Sequence, residues 1–166
     1  MNTTAIIIAV IVLAGVIAIT KMLIGRNLQA QALDNGKTVK GIVLPLRLQA
    51  YERMALYLER IEPTQLVMRV HANGLSVPQE QNLLLTAIRS EFEHNLSQQI
   101  YISNEVWNDI CNAKDDIIDI VNVVAEQIED PMDGQSFAES LLIAAAQKPV
   151  VNKAMASLKA DVQRLF

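Results

Sequence analysis

The sequence predicts an all-α protein: one N-terminal transmembrane helix followed by a cytoplasmic bundle of five or six helices. Three observations lead there. Residues 1–20 carry no charged side chain, and the stretch Thr4–Ile24 (TAIIIAVIVLAGVIAITKMLI) is almost wholly apolar. Beyond it, apolar side chains recur at three- and four-residue steps, the period of an amphipathic helix. Those periodic runs are separated by short Pro-, Gly- and Asn-containing breaks, the spacing of an up-and-down bundle. The expected division is an anchor at 1–25, a juxtamembrane extension and linker at 26–43, and a helical domain at 44–166.

The anchor is argued from length. About 21 residues at ~1.5 Å rise each cover the ~30 Å hydrocarbon core of a bilayer. Only a helix satisfies its own backbone there. Lys21 interrupts the run near its end, where a long side chain snorkels to the headgroups. A cleavable signal would want basic residues ahead of the apolar run, and Met1–Thr4 has none. A buried core helix would need a larger domain around it. The bases Lys21, at the end of the span, and Arg26, Lys37 and Lys40, beyond it, all lie on its C-terminal side. The positive-inside bias therefore places the N-terminus outside and the body in the cytoplasm, at the inner membrane.

The soluble elements follow in order. Asp34-Asn35-Gly36 is a turn signal. Pro45 suits a first helical residue, and Leu48, Tyr51, Ala55, Leu58 and Ile61 line one face of a helix ending before Pro63. A short helix runs from Pro63 to about Ala72, closed by Asn73-Gly74. Ser76-Val77-Pro78-Gln79 reads as a capping box, opening a helix to about Gln98 with Leu84, Ala87, Ile88, Phe92 and Leu96 inward. Ile100-Tyr101-Ile102 reads as extended. Ser103 caps a long helix, 104–129, with two adjacent apolar stripes. One is Val106, Ile110, Ala113, Ile117, Ile120 and Val124; the other is Trp107, Cys111, Ile118, Val121, Ala125 and Ile128. So wide an apolar face belongs at a bundle centre or across an oligomer interface. Asp130–Gly134 breaks the chain. Ser136-Phe137-Ala138-Glu139 reads as a second capping box, and Pro149 kinks or restarts the last helix. That tail carries Lys148, Lys153, Lys159 and Arg164, which could lie against the acidic helix.

Charge is uneven. Residues 21–60 hold seven basic and three acidic groups; residues 104–139 hold one basic and ten acidic ones. The basic part is drawn to anionic headgroups, and the acidic face 104–139 invites a basic partner. No basic stripe interleaved with aromatics exists, which argues against nucleic acid. One cysteine, Cys111, forms no internal disulfide and suits a reducing compartment.

Candidate chemistry is sparse, and the reading is of no catalytic residue and no cofactor. Glu91 and His94 stand at a Glu-x-x-His spacing, half of what a di-iron bundle needs, with Glu52 or Glu59 as the additional carboxylates of a metal-dependent enzyme. Asp115, Asp116 and Asp119, with Asn112, form an oxygen-rich cluster that could hold a hard cation, but such sites usually want loop carbonyls too, and a solvated acidic face is the better reading.

Two stretches, Leu46–Arg69 (LRLQAYERMALYLERIEPTQLVMR) and Ile88–Ser103 (IRSEFEHNLSQQIYIS), resemble an uncharacterised family of small, N-terminally membrane-anchored helical proteins of Bacteroidota. The resemblance covers most of the chain and implies an anchor plus a helical domain, with no activity to transfer. Both stretches mix charged and aromatic residues more heavily than a plain bundle needs. The candidate interaction residues are therefore Tyr51, Arg53, Arg60, Arg69, Phe92, Tyr101 and Trp107, with Asp115 and Asp119 on the acidic face. The rotary ATP synthase stator shares an N-out anchor and a helical body, but its single unbroken helix does not match a chain punctuated by Pro45, Pro63, Gly74, Pro78, Pro131 and Pro149. The expected function is that of a single-span, membrane-anchored scaffold or accessory subunit of a larger membrane assembly, acting by protein–protein binding. Its partners would be the lipid bilayer and a second copy or another membrane protein. A metal-dependent enzyme and a lipid-interacting module using Lys21–Lys40 are the alternatives.

Overall fold

The computed structural model describes residues 13, 15, 18–22, 24 and 41–165. The chain divides into two compact units, Met1–Leu44 and Pro45–Phe166.

In the first unit every described residue is helical. Leu13, Ile19, Met22 and Ile24 are 61%, 59%, 64% and 58% exposed. Among the described residues no helix is long and apolar enough to cross a membrane. Most of the expected span Thr4–Ile24, residues 26–40 of the expected extension and linker at 26–43, and Phe166 lie outside the described residues; residues 41–43, expected as linker, are helical.

The second unit is all helix, with no strand among the described residues. Its first helix, α1, comprises residues 45–61 of this unit; residues 41–44 directly ahead are helical too, so Pro45 is not the first helical residue that the sequence suggested. It is followed by α2 (Pro63–Val70), α3 (Val77–Asn95), a 3-10 stretch (Leu96–Tyr101), α4 (Asn104–Gln127), α5 (Gly134–Gln147) and α6 (Val150–Gln163).

Local chemistry sets these boundaries. Glu62 separates α1 from α2, and its carboxylate accepts from the Gln65 N–H at 3.1 Å. Gly74 adopts φ 87° in the α2–α3 turn, a conformation that glycine alone adopts without strain. The Ser76/Gln79 capping box forms as expected. Ser103 accepts from the Val106 N–H and starts α4.

Three expectations need correction. Asn95 donates its side-chain amide to the Glu91 carbonyl at 2.8 Å, and α3 gives way there to a 3-10 turn. Tyr101 therefore ends a helical turn; only Ile102 is extended (φ −110°, ψ 149°). Leu96, expected inward, is 42% exposed. The third concerns α5. Asp133 is its cap, accepting from the Ser136 N–H (2.9 Å) and hydroxyl (2.6 Å). The expected Ser136–Glu139 box does not form, because Asp133 starts the helix earlier and Glu139 instead accepts from Gln135 at 2.8 Å.

At the centre lies α4, packed on α3, α5 and α6. Its first stripe is buried at Val106, Ile110, Ala113, Ile117 and Val124. The second is buried at Val121, and Trp107, Ile118, Ala125 and Ile128 are half-buried against the core. The breadth of this apolar face is thus used within the chain. Each fully buried Ile or Leu here contributes ~1.5–3 kcal/mol of burial. The basic tail does reach the acidic helix: Lys148 meets Asp116 at 2.7 Å and Lys153 meets Asp109 at 2.9 Å. Asp109 also accepts from Ser157 at 2.5 Å. The hydrogen bonds from Ser157 and Lys153 hold its carboxyl below the ordinary value.

Candidate functional site

Arg60, Arg69 and Glu91 converge from three helices. Arg60 reaches Glu91 Oε1 through both Nη2 (2.6 Å) and Nε (2.8 Å). Arg69 approaches the same oxygen at 3.9 Å and donates to the Arg60 carbonyl at 3.3 Å. Two guanidinium groups thus share one carboxylate, and Glu59 nearby supplies a second. Beside it a groove of about 520 Å³ is lined by Glu59, Arg60, Gln65, Met68 and Arg69. Met68 is 76% exposed there. Arginine forks and a free thioether are binding chemistry.

Beneath this corner an aromatic run joins α1, α3 and α4. Tyr57 lies 5.9 Å from Phe92, and Phe92 5.5 Å from Trp107, centroid to centroid. Lys114 Nζ sits 4.5 Å over the Phe92 ring and pairs with Asp115 at 3.0 Å. Phe92 and Trp107 are half-buried and engaged by neighbours within the chain. The Tyr57 hydroxyl is buried and makes no hydrogen bond. Burial pushes its ionisation far up, aided by Cys111, Asp115 and Glu91 nearby. Cys111 is half-buried, and burial raises its thiol too, against the pull of Lys114. A raised thiol is a poor nucleophile.

Tyr51 and Tyr101 belong to a second polar knot. Tyr51 is buried and donates to Asp161 Oδ2 at 2.5 Å. Arg47 donates to the Tyr51 oxygen and to the Tyr101 carbonyl, both at 3.1 Å. Burial pushes the Asp161 carboxyl up, but bonds from Tyr51 and Ser103 and the nearby Arg164 outweigh it and hold it low. Tyr51 thus ties α1 to α6 from a buried position.

The remaining candidates scatter. Arg53, Glu52, His94 and Asp119 are exposed. Asp115 and Asp116 turn to Lys114 and Lys148 respectively. Among the described residues no three His, Cys, Asp or Glu side chains stand close enough to hold a metal ion. Glu91 is held by its arginines, so the Glu91/His94 pair gathers no further ligands there. Of the basic juxtamembrane group, Lys21 is helical and exposed, while Arg26, Lys37 and Lys40 lie outside the described residues.

Over residues 2–165 the chain matches the family of unknown function DUF7935. It belongs to that family. No curated protein and no solved structure matches it. DUF7935 membership thus agrees with the expectation of a family without an assigned activity, and the chemistry must come from the residues.

One pair in this DUF7935 chain escaped the sequence reading. Glu80, in the first turn of α3, is fully buried, with Oε1 2.7 Å from His71 Nδ1. Its Oε2 is buried without a hydrogen-bond partner. It faces Gly134 at the start of α5, where an added Cβ would stand 3.0 Å from Oε2. The signal was present: Glu80 lies four residues before Leu84 and eight before Ile88, in the row of α3 that faces inward.

Proposed function

We propose that this protein is a membrane-anchored scaffold or accessory subunit of a larger membrane assembly. It works by protein–protein binding through its helical unit. The anchor is the apolar segment at 4–24, and the body lies on the cytoplasmic side. The observation that carries the reading is the exposed apolar surface of the first unit. Leu13, Ile19, Met22 and Ile24 each show 58–64% of their surface on helical backbone. Apolar surface of that kind is what lipid covers. The bases follow the segment, which supports the orientation. The Arg60/Arg69 corner with Met68 supports the mode of action, since Arg and Met are enriched at interfaces. Its two guanidinium groups beside Met68 suit a partner that sets a carboxylate next to an apolar side chain.

The test is alkaline extraction of membranes from cells making the full chain, followed by protease digestion of intact and opened vesicles. The protein should stay in the pellet at high pH. Its helical unit should be cut only when the cytoplasmic face is exposed. Release by the alkaline wash, or cleavage from the outer side, overturns the reading.

A further inference from the structure

A second apolar groove lies between α1 and α6. Its volume is about 240 Å³, and Leu48, Ala55, Met155, Leu158 and Val162 supply most of its walls. Two charged side chains border it: Glu52 from α1 and Lys159 from α6. Both are exposed. The basic tail makes the position of Lys159 unusual. Lys148 and Lys153 are taken by Asp116 and Asp109, and Arg164 approaches Asp161 at 3.9 Å. Lys159 and Glu52 have no ion-pair partner among the described residues, not even each other across the groove. Leu56, one turn beyond Glu52, is 52% exposed.

We propose that this groove is the interface of a homodimer in which Glu52 of each copy meets the partner's Lys159. A wholly acidic or wholly basic partner would find one wall repulsive. A surface bearing one acid and one base on opposite walls is complemented by itself, turned through a two-fold axis. The groove floor at Ala55 is small, and the exposed Leu56 supplies apolar surface to fill the facing groove. The surface is limited, so the dimer is a weak one of the small-interface class. Confinement to a bilayer raises its effective concentration; in this one respect the inference rests on the anchored reading above. It is distinct from the Arg60/Arg69 corner, which stays open for a different partner.

Charge exchange on the full chain in mild detergent tests this, read by sedimentation equilibrium up to about 100 μM protein. Circular dichroism melts check that each variant is folded. The wild type should dimerise. E52K and K159E should each weaken dimerisation by about tenfold or more, because the two-fold axis makes each like-charge contact occur twice. The double variant E52K/K159E should restore it. A monomeric wild type at the highest concentration overturns the proposal, even when another protein co-purifies with it. So does a dimer indifferent to the single exchanges, as association through the apolar segment would give. Failure of the double variant to recover also overturns it. Alkaline extraction is blind to all three variants, so loss of the anchor and loss of the dimer are told apart.

Discussion

Replacement of Gly134 by alanine separates a local rule from the packing actually present. Gly134 is the first residue of α5 and does not have a positive φ. By helix propensity alone, Gly→Ala inside a helix stabilises by ~0.5–1 kcal/mol. The structure dictates the opposite sign. A Cβ at this position falls far inside contact distance of the Leu75 carbonyl oxygen. It also stands 3.1 Å from the Leu75 carbonyl carbon and 3.0 Å from Glu80 Oε2. The obstacle is backbone, so the Asp130–Gly134 loop must withdraw from the α2–α3 turn. That withdrawal endangers the 2.8 Å bond from the Val77 N–H to the Pro131 carbonyl, which satisfies one of α3's orphan amides. Overpacking costs ~1–3 kcal/mol, and the weakened bond adds about 1 kcal/mol. Less the propensity gain, G134A should destabilise by about 2 kcal/mol, a drop of roughly 5–10 °C in Tm for a unit of this size. Two other glycines serve as internal references. Gly41 has nothing within 4 Å of an added Cβ, so G41A should be neutral or slightly stabilising. Gly74 is equally open but sits at φ +87°, so G74A should lose about 1 kcal/mol through backbone strain alone. Urea titrations followed at 222 nm give all three values. A G134A protein as stable as wild type, or more so, would refute the claim that this junction is closed by backbone contact.

Three other perturbations have definite outcomes. Tyr57→Phe removes a buried hydroxyl without a partner; the variant should be unchanged or up to about 1 kcal/mol more stable in urea, and a loss above that would mean the hydroxyl has a partner. His71→Ala strips Glu80 of its one bonded neighbour and should cost about 3 kcal/mol, most of it recovered in the apolar double variant H71A/E80M, as a double-mutant cycle would show. The carboxyls of Asp109, Asp133 and Asp161 are all held low in the folded chain. A depressed folded value means stability that is full above the unfolded carboxylate range of about 3.9 and lost as pH falls through the folded values. The urea midpoint should therefore be flat from about pH 7 to 5 and decline below about pH 4, whereas D161N should lose about 2 kcal/mol at pH 7 and show a shallower acid decline; an unchanged acid limb in D161N would count against the Tyr51–Asp161–Ser103 knot.

Much of the helical unit was legible because its signals are local. Pro63 and Ser76-x-x-Gln79 mark starts through sterics and orphan amides, which need no tertiary information; Pro45 does not, because residues 41–44 ahead of it are already helical. The errors came where two local rules competed. Ser136-x-x-Glu139 satisfies the pattern of a capping box, yet Asp133 three residues earlier satisfies the same orphan amides and wins by starting the helix sooner. Ile100-Tyr101-Ile102 carries β-branched and aromatic side chains, yet Asn95, by bonding the Glu91 carbonyl, passes the chain into a 3-10 turn. The site was less legible still. Arg60 and Arg69 stood out by charge, but that both turn to Glu91 depends on the angle between α1, α2 and α3. Tyr51 stood out by type, and its role is internal because Asp161, 110 residues later, accepts from it.

The long helix α4 shows why composition alone could not say where a second copy would bind. An apolar face wider than one neighbour can cover has two explanations, several neighbours in the same chain or a neighbour in another. Both predict the same sequence. The choice depends on whether α3, α5 and α6 all return to α4, and they do. Trp107 against Phe92, and the lysines of the tail on Asp109 and Asp116, then occupy much of that face from within the chain. The unused complementarity moves elsewhere, to α1 and α6, where Glu52 and Lys159 stand on either side of an apolar groove without ion-pair partners among the described residues. Any self-association of the body should therefore respond to charge on α1 and α6, and substitution of Asp119 on the exposed side of α4 should leave it unchanged.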